Sequence, residues 1–280
     1  MSEICKNCQH EIELNFCSNC GQKKSKRIDA KYLKDELQYT LVHTNKGFFY
    51  SIKKIVQRPG QTARLFLEGD RVNHYKPIAL VFILSGISAF LTNTLIHPDE
   101  IINKYYVAHG INVPDMTSVT HLILKYYSFM MLLSIPFMAV FSWIAFKKWG
   151  DNYYENVIIN AYYISLFMVF NIAILMPLQL AIKGNMTLFM FLPSLVSLTA
   201  FLGMGFWFFS GLYPDKSIGD VILRVLLMIG LQVVALMLLT IVVTVLAIVY
   251  FDAHNIHPRD IMPQQPAAQA FLQLKMLLSR

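Results

Sequence analysis

PIALVFILSGISAFLTNTLI, residues 77–96, contains no lysine, arginine, aspartate or glutamate. As a helix, twenty such residues rise about 30 Å, the thickness of a bilayer's hydrocarbon core. The same absence recurs at Tyr126–Phe146, Asn156–Ile182 and Gly184–Pro214, and Val221–Phe251 carries only Arg224. A core helix of a soluble protein rarely stays uncharged for so long. The expected fold is therefore an all-α polytopic membrane protein with about five transmembrane helices, near residues 77–96, 126–146, 157–182, 187–213 and 221–250. Together they form a bundle over 77–250, followed by a tail, 251–280.

Composition agrees. Charged residues make up 15% of the 280 and apolar residues 55%, against roughly 25% charged in soluble proteins. The charge is also lopsided. Residues 1–76 hold 14 Lys and Arg against 8 Asp and Glu, and the remainder 10 against 9. Positive charge ahead of the first span argues for a cytoplasmic N-terminus in a cell inner membrane. Asp99, Glu100 and Asp115 after the first span suit the outside, and Lys147 and Lys148 after the second suit the inside. Five crossings then place 251–280 outside. The first apolar run starts too late for a signal peptide.

The only cysteines are Cys5, Cys8, Cys17 and Cys20, spaced C-x2-C-x8-C-x2-C. Two C-x2-C turns can aim four thiolates at one tetrahedral zinc. Residues 1–22 thus read as a small zinc ribbon whose folding rests on its metal. Four cysteines close the coordination shell, so the expected role is structural. A single iron in the same cage would make a rubredoxin-like carrier, although Phe16 is the only aromatic residue nearby. Disulfides would need an oxidising compartment. His10 is a possible substitute ligand, and solvent exposure is its blander reading.

Residues 23–76 form a basic, amphipathic neck. Lys23, Lys24, Lys26 and Arg27 suit anionic lipid headgroups better than nucleic acid, given the spans downstream. Asp29 can cap a helix bearing Leu33, Leu37 and Leu41. Phe48, Phe49, Ile52, Ile55 and Val56 form a helical stripe opposite Lys53 and Lys54, with Arg58-Pro59-Gly60 as its stop. Thr62 can cap a short helix holding Leu65 and Phe66, closed by Gly69. Such helices suit either the headgroup region or the ends of the bundle.

Phe16-Cys17-Ser18-Asn19-Cys20-Gly21-Gln22, Asn45-Lys46-Gly47-Phe48, Arg58-Pro59-Gly60, Glu68-Gly69-Asp70-Arg71 and Tyr75-Lys76-Pro77 together resemble a bacterial membrane family, domain-of-unknown-function family 3667. The family pattern usually has Gly-Lys-Arg where this chain has Gly69-Asp70-Arg71. The resemblance covers about residues 5–85 and implies architecture without an activity.

Polar groups inside spans are the remaining candidates. Arg224 is the membrane-embedded charge, and Asp220 one turn earlier can pair with it. Asn160, Asn171, Gln179 and Gln232 can join helices by hydrogen bonds, and Pro136, Pro177 and Pro193 can kink them. Glu155 reads as a helix N-terminal charge. His97, His109, His121, His254 and His257 fall on expected outside segments, where a second metal site is conceivable. H-E-x-x-H, G-x-S-x-G, Walker-A and G-x-G-x-x-G motifs are absent from the sequence, so no catalytic site is assigned. The leading expectation is a non-enzymatic scaffold or regulator whose ribbon docks a cytoplasmic partner. A small transporter or channel is the alternative, and a redox enzyme using the four-cysteine site the third.

Overall fold

A computed structural model describes residues 3–12, 15–24, 27–33, 47–108 and 116–253. Leu37, Leu41, Lys26, His109, His254, His257 and the tail beyond residue 253 lie outside the described residues. The ribbon holds two short strands, β1 (Glu3–Ile4) and β2 (Glu11–Ile12), paired antiparallel with Glu3 opposite Ile12. After helical residues at 30–33, nine α-helices are described over their full length: α1 (Phe48–Gln57), α2 (Pro59–Glu68), α3 (Pro77–Leu91), α4 (Pro98–Ala108), α5 (Met116–Phe146), α6 (Tyr153–Phe170), α7 (Met176–Ile182), α8 (Met186–Leu212) and α9 (Ile218–Ala253).

Five helical stretches are long and apolar enough to cross a membrane: Pro77–Ile96, His121–Trp149, Tyr153–Ile182, Met186–Leu212 and Ile218–Leu246. The protein is therefore a five-helix membrane type, with the four cysteines gathered ahead of the bundle. Three spans are not regular α-helix throughout. The span His121–Trp149 closes on a 3₁₀ turn, Lys147–Trp149. Thr92–Ile96 continues α3, and Asn171–Leu175 joins α6 to α7, each as a π-helical turn. Pro177 explains the second, because it donates no N–H and crowds the carbonyl four residues earlier, inside the π turn.

The third span starts at Tyr153, four residues before the uncharged run suggests. Asn152 and Glu155 form a capping box, in which each side chain serves the other's backbone amide, at 2.9 and 2.7 Å. Two free N–H groups are thereby satisfied and the helix starts at the charged residues.

α6 is the centre of the bundle. Nearly every side chain from Glu155 to Leu166 is buried, and α3, α5 and α2 pack round it. α9 lies outermost, touching α5 and α8. Among the described residues its second half is mostly exposed and apolar, which a bilayer tolerates.

The neck helices pack on the end of this bundle. Ile55 of α1 and Ala63 and Phe66 of α2 are buried, α1 against α6 and α2 against α6 and α8. Asp29 does cap the first helical residues, accepting 2.8 Å from the Tyr32 amide. Thr62 does not cap. α2 already begins at Pro59, and the Thr62 hydroxyl donates back to the Arg58 carbonyl at 2.7 Å. Proline's fixed φ suits the first helical position, so Arg58-Pro59-Gly60 ends one helix by starting the next. Gly69, at φ 116°, ends α2 in the left-handed conformation.

Candidate metal centre and its anchorage

Each cysteine pair sits on the same backbone device. The Cys5 amide donates to the His10 carbonyl, and the Gln9 amide returns to the Cys5 carbonyl, both at 2.8 Å. In the second knuckle Cys17 donates to Gln22 at 2.7 Å, and Gly21 returns to Cys17 at 2.9 Å. The residue after each pair is left-handed, Gln9 at φ 59° and Gly21 at φ 74°. Glycine at 21 signals that turn in sequence. Glutamine at 9 hides it.

The thiols are free. Sγ of Cys5 lies 3.6 Å from that of Cys20, and Cys8 lies 3.5 Å from Cys17. All four sulfurs fall within 4.8 Å of one another. Metal–sulfur bonds of about 2.3 Å place tetrahedral ligands about 3.8 Å apart, so the cage fits one metal ion. Burial pushes the Cys5 thiol up to about 11, and a divalent cation reverses that preference by binding the thiolate. His10 contributes its backbone carbonyl while its side chain is exposed. Among the described residues the four cysteines are the one group of three or more donors close enough to share a metal.

The ribbon is seated on the bundle. Gln22, almost fully buried, donates its side-chain amide to the Gly69 carbonyl. Asn73 donates to Asn7 Oδ1 at 2.8 Å. Each knuckle thus grips the loop between α2 and the first span. Asp70 and His74 lie in that loop. Burial raises the Asp70 carboxyl, partly offset by Lys54, and burial with Lys54 lowers His74 to about 4. The His74 ring is buried edge-on to Tyr50 and Phe66.

Two ion pairs tie the neck to the turn before α6. Arg27 grips Glu155 with two nitrogens at 2.8 and 2.9 Å, and also reaches the Gly150 carbonyl. Arg64 grips Asp151 at 3.0 and 3.1 Å, and Tyr213 donates to the same carboxylate at 2.8 Å. Arg27 of the basic run is therefore committed to a carboxylate. Sequence spacing gave no sign of Asn7, Gln22, Arg64, Asn73 or Asp151, because each partner is remote along the chain.

Arg224 is held by the end of α5. It donates to the Ala145 carbonyl and lies 4.5 Å over the Trp149 ring. Asp220 instead accepts from the Ser217 hydroxyl at 2.8 Å. Arg224 reaches the bundle end along its own stem, and the possible pairing with Asp220 is not made. His121 stands 3.6 Å from Asp99.

No curated protein and no solved structure matches the chain. Residues 45–89, the segment holding α1, α2 and most of α3, match the model of the family described as Protein of unknown function (DUF3667).

Proposed function

We propose that this is a non-enzymatic inner-membrane scaffold or regulator with a cytoplasmic N-terminus, whose four thiolates hold one structural zinc and whose ribbon docks a cytoplasmic protein. The observation that carries this reading is that the ribbon is anchored by polar side chains yet leaves two large apolar ones exposed. Asn7 and Gln22 bind the bundle, whereas Ile4 and Phe16 are 65% and 57% exposed. A domain this small has no core that would favour exposing two large apolar side chains, and aromatic residues of this kind anchor protein interfaces. A four-thiolate shell leaves zinc no open position for substrate, which supports a structural role.

Two measurements test it. Elemental analysis of the detergent-purified chain should find about one zinc per chain, lost in Cys17→Ser, Cys20→Ser; iron would revive the redox reading. A photo-crosslinker placed at Phe16 in cells should give one discrete protein adduct that disappears in the same double variant. Absence of any adduct would overturn the docking role.

A transporter or channel is the second reading. It is favoured by the two π turns, Thr92–Ile96 and Asn171–Leu175, the second of which begins at Asn171, where Ser88 of α3 donates to its side chain at 2.9 Å. The buried Asn156 and Asn160 side-chain oxygens, which have no hydrogen-bond partner among the described residues, favour it too. π turns concentrate at functional sites. Flux of ions or solutes through liposomes, reduced by Asn160→Leu, would move this reading to first place.

A further inference from the structure

We propose that α1 and the start of α2 form a seat for an anionic phospholipid, with the lipid phosphate on Arg58. The outer face of α1 carries Phe49, 82% exposed, Val56, 44% exposed, and between them exposed Lys53. These three stand at i, i+4 and i+7, on one side of the helix. At the end of that side a cleft of about 450 Å³ opens between Gln57, Arg58 and Gln61 on the neck and Trp207 and Gly211 on α8. Trp207 is half-exposed and belongs to the span Met186–Leu212, within two turns of its end. The edge of the bilayer therefore passes this cleft.

Charge selects the occupant. Arg27 and Arg64 are each held by a carboxylate. Lys53 and Arg58 form no ion pair among the described residues, and no acidic side chain lines the cleft. A guanidinium takes two oxygens of one phosphate, and the amides of Gln57 and Gln61 can donate to the rest. Indole rings favour headgroup depth. Phe49 and Val56 supply the apolar face with which an interfacial helix enters the acyl boundary. A soluble phosphate would use the arginine but leave these apolar groups in water, so the lipid fits better. This proposal rests on the five spans and is independent of the ribbon's metal or partner.

The test is native mass spectrometry of the full chain in detergent, with phosphatidylglycerol or phosphatidylcholine of equal acyl chains added. Phosphatidylglycerol should be retained over phosphatidylcholine, and Arg58→Gln should weaken its retention roughly fivefold. Lys183→Gln, exposed beyond the far end of the span Tyr153–Ile182, should leave it unchanged. Equal retention of the two lipids, wild-type retention by Arg58→Gln, or an equal loss in Lys183→Gln would each overturn the seat. So would displacement of the lipid by millimolar inorganic phosphate. Should Arg58→Gln fail to fold, quenching of tryptophan fluorescence by phosphatidylglycerol brominated near its headgroup decides. It should fall in Trp207→Phe, and equal quenching in that variant would overturn the proposal.

Discussion

Gly60 of α2 lies backbone-to-backbone against Gly211 of α8. A Cβ on Gly60 would overlap the Phe208 carbonyl oxygen and the Leu212 amide nitrogen, whereas one on Gly211 would meet the Gly60 Cα at 3.5 Å, an ordinary contact. The two glycines thus face each other unequally. Gly60→Ala should push α2 off the bundle and cost about 1–3 kcal/mol, seen as a lower melting temperature in detergent. Gly211→Ala should melt close to wild type. Equal melting of the two variants would contradict this packing.

The two arginine–carboxylate pairs should differ in weight. The Arg64 and Asp151 side chains are 26% and 10% exposed, so Asp151→Asn removes the countercharge of a partly buried guanidinium and leaves one acceptor oxygen where Arg64 and Tyr213 use two. A loss of about 2–4 kcal/mol is expected. Arg27 is 61% exposed, and water screens its pair with Glu155. Arg27→Gln should cost less than about 1 kcal/mol. Chemical denaturation of both variants checks the order.

His74 gives stability a pH dependence. Its folded pKa is lowered from 6.5 to about 4, so the folded state resists protonation while the unfolded chain accepts it. This contribution is fully present above about pH 6.5 and is lost progressively as pH falls toward about 4. The shift corresponds to about 3 kcal/mol. Asp70 works in the opposite sense. Its raised pKa means the folded state favours the acid, so its contribution is lost as pH rises through 3.8 toward the raised value. Melting temperature between pH 4 and 7 should flatten in His74→Gln; an unchanged slope would exclude His74 as its source.

Metal removal should be felt beyond the ribbon. The ribbon grips the loop after α2 through Asn7 and Gln22, and those residues are placed by the cysteine knuckles. Cys17→Ser, Cys20→Ser, or a chelator, should raise amide exchange in residues 69–75 while α6 stays protected. Unchanged exchange at 69–75 would mean that the loop holds its shape alone.

The neck shows how far sequence reading reaches. Phe48, Ile52 and Ile55 were legible as the inward stripe of α1 because helical periodicity is local, and so was Asp29 as a cap; Phe49 and Val56, expected on the same stripe opposite Lys53, instead stand exposed on the side of Lys53. From sequence alone Arg58-Pro59-Gly60 is a stop and Thr62 a cap, because proline punctuates both ends of helices. Pro59 instead opens α2 at its first position, and what the sequence hides is that Gly60 lies against the α8 backbone, nearly 150 residues away. Arg224 stood out as a charge within a span. Its choice of the Ala145 carbonyl and the Trp149 ring over Asp220 depends on where α5 ends.

The sequence alone determined that this chain has five spans and a four-cysteine knot. A bilayer demands a set length of uncharged helix, and a metal cage demands paired cysteines, so both leave patterns within a few tens of residues. The tertiary structure decided which polar groups are spent and which remain open. Arg27 finds Glu155 and Arg64 finds Asp151 across 128 and 87 positions, Gln22 finds Gly69, and Arg58 is left facing a cleft. Those outcomes depend on which helix ends meet at the mouth of the bundle, and no local periodicity encodes that meeting.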